Sequence, residues 1–146
     1  MDYFTFDIYG DTYGFSDVES GGWYAIDDVL GYVTENKIMS GYSKDKFGPH
    51  DYITRGQAAT VLHNLAGKPD AVSAKFKDVS YSEYYGPAIS WARATGVISG
   101  YGETNTFGPN DYVTREQFAT VLANYASKVA GVDVTPSGEK ARAMTD

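Results

Sequence analysis

Apolar residues recur at helical spacing in four places along the chain. Ile26, Val29, Leu30 and Val33 fall at i, i+3, i+4 and i+7, the stripe of an amphipathic helix. Ile89 and Ala92 carry a similar stripe in a segment opened by Pro87 and followed by Gly96. Proline is tolerated in a first helical turn and glycine is a common C-terminal stop. Two further stripes are Ala58, Val61, Leu62, Leu65 and Phe118, Val121, Leu122, Tyr125. Each follows a threonine, Thr54 or Thr114, with a glutamine three residues on, Gln57 or Gln117. That spacing predicts a capping box, in which side chains and backbone N–H groups satisfy each other at a helix start. The stretches 41–53 and 100–113 are rich in Gly, Pro, Asn and Asp and read as ordered loops. Residues 1–14 alternate weakly and read as an extended arm.

The second half of the chain echoes the first. Phe15-Ser16-Asp17-Val18 returns as Phe76-Lys77-Asp78-Val79, and Trp23-Tyr24 as Tyr84-Tyr85, both at an offset of 61. Ile38-Met39-Ser40-Gly41-Tyr42 returns at 59 as Val97-Ile98-Ser99-Gly100-Tyr101. Phe47-Gly48-Pro49 and Asp51-Tyr52-Ile53-Thr54-Arg55 return at 60. The drift places two extra residues in copy one between Tyr24 and Leu30, and one in copy two between Tyr101 and Phe107. An internal repeat sets the architecture before any local motif does. The expected organisation is an arm (1–14), a first helix-loop-helix copy (15–66), a linker (67–75) and a second copy (76–127). A polar tail follows (128–146), whose Met144-Thr145-Asp146 resembles the Phe-x-Asp opening of each copy, so a third copy is expected to begin there.

The ordered set Phe-x-Asp-Val, Trp-Tyr, Ile-x-x-Gly-Tyr, Phe-x-Pro and Thr-Arg-x-x resembles the S-layer homology (SLH) domain family, as two tandem repeats over residues 15–126. The family pattern closes in Thr-Arg-Ala-Glu. Here it reads Thr54-Arg55-Gly56-Gln57 and Thr114-Arg115-Glu116-Gln117. The resemblance implies an all-α fold whose tandem repeats form a pseudo-threefold helical bundle, incomplete with two. It implies an anchor on Gram-positive-type cell walls, outside the cell. Its partner would be a secondary wall polysaccharide ending in a pyruvylated sugar, and the anchor would be fused to a larger surface protein.

The candidate site residues each admit two readings. Arg55 and Arg115 carry positive charge into a first helical turn, against the macrodipole. Either they recognise an anion by a bidentate fork, helped by free N–H groups of the helix start, or they pair with Asp17 or Asp111. Asp17 and Asp78 either accept from a turn or cap, or meet a sugar hydroxyl. Trp23 and Tyr84 either pack in the core or stack on a pyranose face. Gly41-Tyr42 and Gly100-Tyr101 suit a positive-φ turn and a close backbone approach, the latter able also to admit a sugar near the main chain. Together these residues are expected to line a groove between adjacent repeats. Phe47, Pro49, Phe107 and Pro109 are expected in the core, and His63 on a solvated helix face.

Composition narrows the alternatives. The formal charge is -7, with Lys+Arg 12 against Asp+Glu 19, which opposes nucleic acid as a partner. Cysteine is absent, which excludes disulfides, Cys-ligated zinc and thiol nucleophiles. No stretch approaches the ~18 consecutive apolar residues of a membrane helix. His50 and His63 do not recur between copies and have no triad spacing, and no phosphate loop or zinc-helix motif is present. The expectation is a binding module without catalysis, metal or cofactor. Assembly with other proteins, or as a homodimer, is the rival reading, given 13 Tyr, 7 Phe and 2 Trp.

Overall fold

A computed structural model describes residues 12–135. Most of the expected N-terminal arm and the Met144-Thr145-Asp146 segment lie outside the described residues. Four α-helices and no strands occur among the described residues: α1 (Val29–Glu35), α2 (Arg55–Leu65), α3 (Gly86–Thr95) and α4 (Arg115–Lys128). The all-α class follows. The chain divides into two compact units, Met1–Ile53 and Thr54–Asp146. That boundary falls inside the first sequence copy, between its loop and its second helix.

In the first unit, Val18, Ala25 and Leu30 are buried, with Phe15, Tyr24, Val33 and Phe47 packed around them. The helical stripe expected from Ile26 is cut short. Asp27 and Asp28 have left-handed φ values of 55° and 61°, which L-residues resist at roughly 1–2 kcal/mol each. They close a single 3-10 turn, Ile26–Asp28, and only then does α1 begin. These aspartates lie within the two-residue insertion interval of copy one. Val29, expected on the apolar stripe, is exposed. Of the expected arm, residues 12–14 form a turn, with Tyr13 and Gly14 at positive φ, rather than an extended segment.

The second unit holds the larger core. Phe107, Ile89 and Val97 are fully buried, each stabilising by about 1.5–3 kcal/mol relative to exposure. Helices α2 and α3 pack together through the Ala59, Leu62, Ala88 and Trp91 cluster. Pro87 stands in the first turn of α3, and Gly96 ends it at φ 79°. Thr54 and Thr114 cap α2 and α4 with complete capping boxes: each threonine side chain accepts from the glutamine N–H, and each glutamine Oε1 accepts from the threonine N–H. His63 is buried, contrary to the solvated face expected for it. Its ring lies against Trp91 at 5.3 Å and its Nε2 is 2.8 Å from the Pro69 carbonyl. The segment after α2 is thereby pinned back onto that helix.

Candidate binding surface

The loop between the two helices of each copy is held by one aspartate. Asp78 accepts from the N–H groups of Phe107 and Gly108, one on each carboxylate oxygen, both at 2.8 Å. Asp17 does the same for Phe47 (2.9 Å) and Gly48 (2.8 Å). The turn-acceptor reading of these aspartates is the one their oxygens satisfy. The bond from the Phe47 N–H is the largest influence holding the Asp17 carboxyl below its ordinary value. The two glycines expected to share a positive φ differ. Both are close approaches, a Cβ standing 2.5 Å from the Lys46 carbonyl oxygen at Gly41 and 2.7 Å from the Phe76 ring at Gly100, but only Gly100 has a positive φ, 79°.

The two arginines of the repeat stand in different surroundings. Arg55 is 6% exposed. Its guanidinium carbon lies 4.6 Å from the Tyr101 ring centroid and 5.0 Å from that of Phe107, and its Nε–H donates to the Phe107 carbonyl at 2.8 Å. Its own N–H donates to the Asp111 carbonyl, and that of Gly56 to the Pro109 carbonyl. The start of α2 is thus fastened across the loop of the second copy, and a bidentate grip on an outside anion is not the arrangement at Arg55. Neither is the expected pairing with a carboxylate, because its partners are a carbonyl and two rings. Burial raises the Tyr101 hydroxyl above its ordinary value, against the pull of the Arg55 charge, and that hydroxyl donates to Asp111. Arg115, the same motif position on α4, is exposed.

Trp23 is 82% exposed and Tyr84 59%, so the core-packing reading of these two rings does not hold. Each stands edge-on to the next ring in sequence: Trp23 to Tyr24 at 5.7 Å and Tyr84 to Tyr85 at 5.0 Å. Tyr24 also meets His50 edge-on at 5.8 Å. Tyr85 is buried and Tyr24 half-buried, so in both copies an inner ring supports an outer one presented to solvent. Phe107 and Pro109 are buried as expected, while Phe47 and Pro49 are only half-buried. No aromatic-on-arginine stack covers the first loop among the contacts described within its own unit. Sequence reasoning missed the His63–Trp91 pair and the Tyr101–Asp111 bond. The recurrence of Asp51 and Asp111 two residues after the Phe-Gly-Pro run was the signal for the latter.

Among the described residues, no cluster of three His, Cys, Asp or Glu could hold a metal ion, and no helix is long and apolar enough to cross a membrane. A family model for the S-layer homology domain matches residues 14–59 and 75–119, more than half of the chain. The chain belongs to the S-layer homology family. An S-layer protein of Bacillus thuringiensis subsp. finitimus is 33% identical over 125 residues, 84% of this chain and 15% of that protein. Cell surface glycoprotein 1 of Acetivibrio thermocellus is 31% identical over 100 residues, 66% of the chain and 4% of that protein. A cellulosome-anchoring protein of the same organism is 30% identical over 101 residues, 66% of the chain and 22% of that protein. The SLH chain thus spans only a small part of the length of these relatives.

Proposed function

We propose that this SLH chain is a non-covalent anchor that binds an anionic, pyruvylated secondary cell wall polysaccharide and holds a larger surface protein outside the cell. The observation that carries the reading is the pair of supported, solvent-facing rings at equivalent positions of the two copies, Trp23 and Tyr84. A flat ring with an apolar face and a fixed base suits the face of a pyranose. The acid of the polymer falls to Arg115, the exposed arginine of the repeat motif, next to the N–H groups at the start of α4. A net charge of -7 is compatible with this, since a guanidinium acts locally. Two sites on one chain meeting a repeating polymer gain by avidity what each lacks singly. The S-layer and cellulosome-anchoring names of the relatives point the same way. With a third copy, the repeats would build the pseudo-threefold body that the family resemblance implies. A second reading, an assembly module of a surface layer, is favoured by Phe118 and Leu122, exposed on α4.

The test is co-sedimentation with wall sacculi before and after acid extraction of their secondary polymers, using the native chain, Trp23→Ala/Tyr84→Ala and Arg115→Ala. Native protein should pellet only with unextracted walls, and each variant should bind at least about tenfold more weakly. Binding that survives extraction refutes the polymer as ligand. Failure to bind any wall puts the assembly reading first.

A further inference from the structure

The charge of the chain is unevenly divided. Residues 1–53 carry ten carboxylates against three lysines, the whole net charge of -7, whereas residues 54–146 hold nine acidic and nine basic residues. The division falls at the boundary between the two compact units. Between Phe15 and Asn36 the first copy has five acids and no Lys or Arg, while the matching stretch 76–95 offsets Asp78 and Glu83 with Lys77 and Arg93. Trp23 stands within the uncompensated stretch, 82% exposed on its Tyr24 support. The Tyr24 hydroxyl accepts from the Glu19 N–H at 3.4 Å, and a Cβ on Gly22 would stand 3.0 Å from the Glu19 carbonyl oxygen and 3.3 Å from the Tyr24 ring. Glu19 therefore borders the supporting ring. After that ring the chain turns through Ile26–Asp28, with Asp27 and Asp28 exposed. These aspartates lie in the insertion that the second copy lacks, and Glu19 is replaced there by Ser80. The exposure of the outer ring does not depend on a missing neighbour. Tyr84, its equivalent, stays 59% exposed although Gly56 of α2 packs against the Tyr85 ring that supports it, a Cβ there standing 3.1 Å away.

We propose that the Trp23 ring takes an ammonium-bearing sugar of the polymer, a hexosamine whose amine is free, and not an acidic one. The inference rests on the wall-polymer reading and divides the ligand's charges between the units: the acid goes to Arg115 in the second, the amine to Trp23 in the first. An indole face attracts a cation more strongly than a phenol ring does, and the same face suits the C–H surface of a pyranose. The surrounding carboxylates raise the local concentration of cations and accept charge-assisted hydrogen bonds from an ammonium group. An acidic sugar at this ring would meet the same field as repulsion. The acids contribute unequally. Asp17 acts only through the field, because its two oxygens accept from the Phe47 and Gly48 N–H groups. Asp28 accepts from the Tyr13 hydroxyl on one oxygen. Asp27 and Glu19 are the acceptors that remain on either side of the Trp23–Tyr24 pair. The second copy, with an electrically balanced stretch and a phenol ring in place of the indole, has no such preference.

Isothermal titration calorimetry of the full chain with a β-1,4-linked glucosamine tetramer, as the free amine and fully N-acetylated, tests this at neutral pH. The amine form should bind at least about tenfold more tightly than the N-acetylated form, and its advantage should shrink as salt is raised. Trp23→Ala should abolish the preference. Asp27→Asn removes one charge and leaves a residue that tolerates the left-handed backbone; it should weaken the amine form at least about threefold with the thermal midpoint unchanged. Equal affinity for the two oligomers overturns the inference, as does an amine form that does not bind or a preference that survives Trp23→Ala. The wall reading fails separately. Equal affinities alongside Arg115-dependent pelleting with sacculi would sink the amine assignment alone, and an amine preference at Trp23 without pelleting would sink the wall reading alone.

Discussion

Replacing Arg55 by alanine should destabilise the second unit far more than the same change at Arg115, although both arginines close the same motif. Arg55→Ala removes the Nε–H donor of a 2.8 Å bond and leaves the Phe107 carbonyl without it, which costs about 1.5–3 kcal/mol for a charge-assisted bond. It also removes a guanidinium from two rings at 4.6 and 5.0 Å, about 0.5–1 kcal/mol for each, together with the packing of its stem. The relief of burying one charge less offsets part of this. The expected net loss is about 2–4 kcal/mol. Arg115→Ala, at an exposed position, should fall within about 0.5 kcal/mol of the native chain. Urea unfolding followed by far-UV dichroism and by Trp91 emission, at protein concentrations too low for association, reads both values, with the slope on urea unchanged. Arg55→Lys keeps the charge but not the planar fork, and should recover less than half of the loss. Equal midpoints for the two alanine variants would refute the assignment of Arg55 as the strut across the second loop.

Thr54→Ala should cost about 1 kcal/mol through the lost cap, and Thr114→Ala a similar amount, both read as midpoint shifts in the same unfolding assay. The Asp17 carboxyl, depressed below 3.8 by the Phe47 N–H, gives stability that is present above its unfolded value and lost as pH falls through the lower folded value. Exposure of the first unit, followed by its amide hydrogen exchange, should therefore increase below about pH 4, and Asp17→Asn should show that exchange already at neutral pH. His63→Leu should release the 67–69 segment to proteolysis by removing the bond to the Pro69 carbonyl; an unchanged cleavage pattern would refute the pinning role.

Much of the fold was legible because repetition supplied two readings of each element. The capping boxes at Thr54 and Thr114, Pro87 in the first turn of α3 and the stop at Gly96 are local chemistry, and local chemistry is written in neighbouring residues. The shortening of α1 was not legible, since Asp27 and Asp28 satisfy the apolar spacing around them and betray nothing of their left-handed backbone. The different fates of Arg55 and Arg115 were equally hidden. Identical motifs predict identical roles, and only the presence of a following copy in the same unit decides which arginine is buried. His63 was misplaced for a related reason: its burial depends on Trp91 and Pro69, which no helical spacing connects to it. Trp23 and Tyr84 could be core or surface on sequence alone, because ring size argues for one and a polar neighbourhood for the other.

The anchoring account is tested most directly by titrating Trp23 emission with purified secondary wall polymer, intact or stripped of its pyruvate by mild acid, since Trp91 is buried and Trp23 is not. The account predicts a saturable blue shift with intact polymer, at least about tenfold weaker after the acid is removed and absent in Trp23→Phe. Emission that does not respond to intact polymer, or responds equally to stripped polymer, would contradict it.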